Sequence, residues 1–247
     1  MENSCLKKYK PSSKKWILAS RCAGLRRNSA LVPANAGLFH YAGNNPVRYI
    51  DPDGKELLVT GEDKNTYIWD DKQNEFYNKK TGSYGTDDKF VNSVKESLIY
   101  LKNGSPYAAN IIRKVCESKR KAKIKANHFQ NTRFDLEGIF WKDISINFDT
   151  STGLEINDGS GSYGSPAMGL FHELCHAYSH IVEKKLTTRI KDKSVGPKWK
   201  NGEEYNAVQM SNIAAIQLKE PVRNDYISAR PIPCGYLSVR NFFNNQK

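Results

Sequence analysis

The chain has 247 residues, enough for one substantial domain plus a tail. Hydrophobic residues make up 38% and charged residues 26%, and no apolar run approaches the ~20 residues that a bilayer crossing needs, which excludes a transmembrane helix. The formal net charge of +12 is unevenly spread: residues 1–30 hold eight basic side chains against Glu2 alone, a net +7 that leaves +5 for the rest. Such a distribution describes a solvated basic tail rather than a nucleic-acid surface.

At the N-terminus the longest apolar stretch is Trp16-Ile17-Leu18-Ala19, far short of the ~7 to 15 residues of a signal-peptide core. Residues 1–36 show neither helical nor strand periodicity and are expected to be a disordered basic tail. The five cysteines (Cys5, Cys22, Cys116, Cys175, Cys234) are odd in number and scattered, with no C-x-x-C pair. Free thiols from a reducing compartment are expected, not a disulfide scaffold. Residues 37–56 run Gly-Leu-Phe-His-Tyr-Ala-Gly-Asn-Asn-Pro-Val-Arg-Tyr-Ile-Asp-Pro-Asp-Gly-Lys-Glu, two turn signals around a short aromatic strand. This stretch resembles the end of the core domain of Rhs-repeat proteins, just before their variable C-terminal toxin cassette. The resemblance implies a boundary segment at 37–56 and a separate domain at 57–247.

From residue 57 the pattern is α+β. Leu57–Val59, Thr66–Trp69 and Glu75–Tyr77 read as strands. Asp87-Asp88 opens a helix with Phe90, Val94, Leu98 and Leu101 on one face, closed by Asn103-Gly104. Ser105-Pro106 starts a second helix carrying Ile111, Ile112, Val115 and Cys116. Lys121–Lys125 and Ile144–Phe148 alternate like strands, and Leu154–Ile156 reads as another. The glycine-rich Gly159–Gly164 lacks both the G-K-[ST] ending and G-x-G-x-x-G spacing, so a flexible connector or cleft rim is expected there rather than a phosphate loop.

Ser165-Pro166 begins a third helix, to about residue 183. At 100° per residue Phe171, Leu174, Cys175, Tyr178 and Val182 share one face, with His172, Glu173 and His176 opposite. The latter three form H-E-x-x-H. Residues four apart stand one above the other, so two neutral imidazoles can reach one Zn²⁺ at ~2.0 to 2.1 Å. Glu173 stands beside them as the base for an attacking water. His180 lies two turns, ~12 Å, from His172 along the axis and cannot share that ion; it is expected to support the site or lie on the surface. The metzincin extension requires Gly at 179 and His at 182, where this chain has Ser179 and Val182.

A catalytic zinc wants a third protein ligand. Asn201-Gly202-Glu203-Glu204 opens a helix to about residue 219, on which the small Ala207, Ser211 and Ala215 lie below Glu204 and permit close approach to a neighbour. Glu204 is favoured as ligand with Glu203 as a supporting carboxylate; a capping role for Glu204 after an Asn201 N-cap is the other reading. Farther on, Arg223-Asn224-Asp225-Tyr226 offers two hydrogen-bond donors for an oxyanion, or alternatively a salt bridge and a core tyrosine.

The combination of His172-Glu173-Leu174-Cys175-His176-Ala177-Tyr178, Glu203-Glu204-Tyr205-Asn206-Ala207-Val208 and Arg223-Asn224-Asp225-Tyr226 resembles the NleD-like family of bacterial effector zinc metallopeptidases. Its E-E step and R-x-x-Y also resemble the protease light chains of clostridial neurotoxins. The departures are Cys175 inside the motif and Met210-Ser211-Asn212, where relatives often carry glycine. The resemblance implies a zincin-like α+β fold, with a mixed sheet packed against the H-E-x-x-H helix and the second, Glu-bearing helix. It also implies Zn²⁺ on His172, His176 and Glu204, with Glu173, Arg223 and Tyr226 as catalytic residues. The function implied is that of a zinc endopeptidase toxin or effector, made in the bacterial cytoplasm without a Sec signal, delivered outside, and cleaving target-cell proteins in the cytosol. Its partners would be a protein or peptide substrate and an immunity protein, with no membrane.

Two other classes compete, a nucleic-acid-targeting Rhs toxin and a non-catalytic binding module. The densest basic cluster of the body, Lys119–Lys125, has no interleaved aromatic, which argues against the first. All the candidate zinc-site residues are present, which argues against the second.

Overall fold

The computed structural model describes residues 56–128, 132–137, 143–156, 162–183, 195–226 and 229–233, all within one unit, Ile50–Lys247. The expected tail at 1–36 and nearly all of the Rhs-like segment at 37–56 lie outside the described residues, as do Cys5, Cys22 and Cys234.

The fold is α+β. Seven strands form a mixed sheet in the order β4-β3-β2-β1-β5-β7-β6. Strands β1 (Leu57–Thr60), β2 (Thr66–Asp70), β3 (Glu75–Asn78) and β4 (Ser83–Tyr84) make an antiparallel meander. β5 (Ala122–Ala126) pairs parallel to β1, and β7 (Asp143–Phe148) parallel to β5. β6 (Arg133–Glu137) closes the far edge antiparallel to β7. The parallel step from β1 to β5 requires a long crossover, which includes α1 (Lys89–Gly104) and α2 (Pro106–Cys116).

Each helix starts where local chemistry directs it. The Asp88 side chain accepts from Val91 N, and the Ser105 hydroxyl accepts from Ala108 N ahead of Pro106. Phe90, Val94, Leu98 and Leu101 are buried as one stripe against Ile111, Ile112 and Val115. Gly104 lets the end of α1 sit against Leu218, whose side chain would have to shift to admit a Cβ there.

α3 (Pro166–Ile181) and α4 (Gly202–Leu218) are the third and fourth helices among the described residues, and they pack on each other. A second, antiparallel sheet in the order β10-β8-β9 contains β8 (Thr152–Ile156), β9 (Ser162–Gly164) and β10 (Ala229–Pro233). Its existence corrects two readings. The mixed sheet expected from the 57–156 region ends at β7, with residues 152–156 in the second sheet, and Ser162–Gly164 form a strand where a flexible connector or cleft rim was expected. β9 is three residues long and β10 pairs with β8 far back along the chain, so local pattern carries little trace of either.

One buried carboxylate ties the two site helices together. Ser165, the N-cap of α3, donates from its amide to Glu220 Oε2 (2.8 Å) and from its hydroxyl to Glu220 Oε1 (2.7 Å). Tyr100 OH of α1 donates to the same Oε1 at 2.8 Å. Glu220 reaches this position because α4 ends on the left-handed Lys219, after which Glu220 N donates to Ala215 O. Burial raises the Glu220 carboxyl above its usual range, while the Ser165 and Tyr100 donors oppose that shift. Glu220→Ala would remove the acceptor of the two buried Ser165 donors and should lower stability by about 2 to 3 kcal/mol, read from the urea midpoint at unchanged m.

Candidate metal centre and its cleft

Ser165 accepts from Met168 N, and Pro166 occupies the first turn of α3. Both faces of this helix are covered. Phe171, Leu174 and Cys175 are fully buried, but His172, Glu173 and His176 are also less than a tenth exposed. α4 covers the polar side, so the helix is enclosed all round and only Tyr178 and Ser179 are half-buried in its last turns. His180 is likewise buried, so a surface location is excluded. Cys175 sits in the core, where burial pushes its thiol well above the usual range.

α4 presents two adjacent glutamates to α3. Asn201 caps it by accepting from Glu204 N at 2.8 Å. Ala207, Ser211 and Ala215 are buried in the helix contact, as their small size anticipated. Ser211 directs its hydroxyl back to Ala207 O (2.7 Å), and the helix runs uninterrupted past Met210-Ser211-Asn212. The absence of glycine there therefore does not deflect Glu204.

Three ligand atoms converge. His172 Nε2, His176 Nε2 and Glu204 Oε2 lie 3.2 Å from one another in each pairing. Three tetrahedral ligands held ~2.0 to 2.1 Å from one ion stand roughly 3.3 Å apart. A triangle of mutual contacts between two ring nitrogens and one oxygen also cannot be satisfied by hydrogen bonds alone. If both rings donate to the carboxylate, their two N–H groups face each other. The donor set of two imidazoles and a carboxylate therefore fits a divalent ion of the zinc type. A capping role for the Glu204 side chain is not what the structure displays; its backbone N–H receives the cap and its carboxylate faces the histidines.

The other atoms are arranged around this triangle. Glu203 Oε1 lies 3.0 Å from His176 Nδ1, the position of a supporting carboxylate behind a ligating imidazole. Lys200 Nζ stands 3.6 Å from Glu204 Oε1. Burial lowers the His172 pKa to about 4. Burial opposes the charged form of His176 too, but hydrogen bonds to Glu203 and Glu204 push its pKa up to about 10. For Glu204, burial acts upward but the histidine bonds outweigh it and hold the carboxyl well below the usual range. Glu173 is raised to about 8, first by burial and then by neighbouring carboxylates, with His176 and Arg223 opposing. Three glutamates around two imidazoles form a site that calls for positive charge, which a bound cation would provide.

Beyond the triangle lies a cavity of about 300 Å³, with His172, Glu173, Arg223 and Tyr226 on its wall. Arg223 and Tyr226 follow α4 in an irregular segment. The Asn212 side-chain amide clamps that segment through two bonds, donating to Arg223 O (2.8 Å) and accepting from Arg223 N (2.9 Å). The guanidinium lies 5.5 Å from the Tyr226 ring centroid, and the buried Arg223 Nε has no hydrogen-bond partner among the described residues. Lys200 stands 5.6 Å over the same ring. Burial raises Tyr226 to about 12, with Glu204 and Glu173 adding to the shift.

The sequence reading did not single out the supporting roles of Asn212, Lys200 and Glu220. Each acts through a contact set by the turn after α4 or by the segment before it, with no motif to announce it. Thr132, Arg133 and Thr152 on the cavity wall were missed for the same reason.

No curated protein matches the chain. Residues 77–214, more than half of its length, match the effector-protein family Peptidase_M91, and the match spans both the H-E-x-x-H helix and the first three turns of α4. The chain belongs to this peptidase family of effector proteins.

Proposed function

We propose that the protein is a zinc-dependent endopeptidase, acting as a bacterial toxin or effector that is delivered to a target cell and cleaves proteins there. The observation that carries the reading is the 3.2 Å triangle of His172, His176 and Glu204 beside the buried Glu173. Membership of an effector peptidase family supports it. No helix among the described residues is long and apolar enough to cross a membrane, in keeping with an enzyme that meets its substrate in water.

In this reading His172, His176 and Glu204 hold the ion, and Glu203 orients His176. When bound, the zinc would lower the pKa of a water and polarise the scissile carbonyl. Glu173 takes a proton from the attacking water and hands it to the leaving amine. Arg223 and Tyr226 donate to the carbonyl oxygen as it gains charge. Asn212 and Lys200 fix the groups that do this. The domain would start near residue 57, after the Rhs-like boundary, and an immunity protein would be the partner in the producing cell.

The test uses purified full-length protein and a proteome-derived peptide library read by mass spectrometry. Stoichiometric zinc is expected, with new internal cleavages that vanish on chelation, return with zinc, and are missing in zinc-free His172→Ala. Wild-type protein that binds no zinc and cuts no peptide would overturn the reading.

A further inference from the structure

Resting on the peptidase reading, we propose that Glu220 is a positioning residue of the reaction. Its buried carboxylate joins the two walls of the cleft and so sets where the Arg223 and Tyr226 donors stand relative to His172 and Glu173. One wall is α3, and the other is the segment Pro221–Tyr226 that follows α4. Glu220 itself lies off the cavity wall, 6% exposed, and acts through the groups it holds.

The join is short at both ends. Toward α3, the carboxylate accepts from the Ser165 amide and hydroxyl at 2.8 and 2.7 Å. Ser165 is the N-cap of that helix, and its hydroxyl also accepts from Met168 N at 3.3 Å. Met168 stands one turn before His172, so the helix passes the position of its first turn on to the ligand and to Glu173. Toward the segment, the Glu220 amide donates to Ala215 O of α4 at 2.8 Å, and Arg223 follows three residues later. Tyr100 of α1 pins the same carboxylate from the core at 2.8 Å. Asn212 then holds the Arg223 backbone, and Tyr226 N donates to Lys198 O at 3.1 Å. Those last ties fix the segment to α4 and to the residues leading into it; Glu220 adds the tie to α3. A small cavity of about 20 Å³ marks the junction, walled by Met168 and His172 of α3, Asn212 and Ala215 of α4, and Pro221 and Arg223.

Donors to a developing oxyanion act only when already aimed at it, and a misplacement of ~1 Å can cost about a hundredfold in rate. The junction needs length and acceptors more than charge. The Ser165 amide can only donate, whereas the Ser165 and Tyr100 hydroxyls can also accept. Glutamine therefore fits, with its carbonyl toward the Ser165 amide and its NH₂ toward the two hydroxyls. Aspartate keeps the charge but is shorter by one carbon–carbon bond, roughly 1.5 Å, so one wall must move. The zinc triangle lies where α3 and α4 meet through Ala207 and Ser211, away from this junction, and zinc content should hold.

The experiment compares zinc-loaded, full-length wild type, Glu220→Gln, Glu220→Asp and Ser165→Ala on one cleavable peptide, with zinc content and melting temperature read on each preparation. Glu220→Gln should keep kcat within about threefold of wild type, while Glu220→Asp should lose about 10- to 100-fold at nearly unchanged KM. Affinity for a phosphinic peptide, whose anionic oxygens mimic the charged carbonyl, should weaken in parallel with kcat. In a Tyr226→Phe background the Asp substitution should cost at least about threefold less than in wild type, because part of what it displaces is already gone. Ser165→Ala breaks half of the tie from the α3 side and decides the matter where Glu220→Asp does not fold; its kcat should fall at least about threefold at unchanged KM. A merely structural Glu220 predicts lower melting temperatures with kcat per folded molecule and phosphinic-peptide affinity intact. That result, a Gln variant as impaired as Asp, or losses that simply multiply with Tyr226→Phe would refute the positioning role and leave the peptidase reading standing. Zinc-loaded wild type that cleaves no peptide would remove both.

Discussion

Replacing Glu173 with Gln should leave the protein folded and zinc-loaded while lowering kcat by about 10²- to 10⁴-fold, the usual contribution of a positioned base. Glu173 has no place in the ligand triangle, so its loss does not open the metal site. It is 8% exposed, and burial raises its carboxyl to about 8. Gln keeps the shape and removes a charge that the core tolerates poorly, so thermal stability should not fall. The measurement pairs zinc content and melting temperature with initial rates on one cleavable peptide. An undiminished rate in a zinc-replete Glu173→Gln preparation would remove Glu173 from the mechanism.

Tyr226→Phe should lower kcat by about 10²- to 10³-fold, as expected for removing one donor aimed at a developing oxyanion. KM and zinc content should stay nearly unchanged, because the phenol contributes in the transition state and lies outside the triangle. The ring contacts separate this from a packing role. Arg223 and Lys200 lie 5.5 and 5.6 Å from the Tyr226 ring centroid, and a phenylalanine ring retains both partners. The melting temperature should therefore change little. A tyrosine that only packs would show the reverse, with kcat intact and the loss confined to stability.

The local rules of the chain were legible where one short segment held the whole signal. Asp88, Ser105, Ser165 and Asn201 are N-caps in the structure, and each precedes a helix whose start the residue types announced. H-E-x-x-H belongs to the same category, because the 3.6-residue turn alone stacks His172 over His176. The small residues Ala207, Ser211 and Ala215 also declared their role, since close helix approach needs them and little else does. Strands β4, β6, β9 and β10 escaped. β4 and β9 are only two and three residues long, and β10 carries two prolines and pairs with β8, far back along the chain.

The sequence by itself determined the α+β class, the four helix starts, the two stacked imidazoles and the presence of a glutamate pair able to face them. Only the tertiary structure decided which glutamate oxygen completes the triangle, because that depends on the rotation of α4 against α3. Packing sets this rotation, with Ala207 and Ser211 as the close contact. The tertiary structure also decided that the polar side of α3 is buried. The helix pattern, read alone, placed His172, Glu173 and His176 opposite the apolar face, and a one-segment pattern carries no measure of how far a second helix covers that side. The same reason explains Glu220, Asn212 and the cavity wall. Their chemistry arises from residues distant in sequence whose proximity is a product of the core, and no period or motif along one segment encodes it.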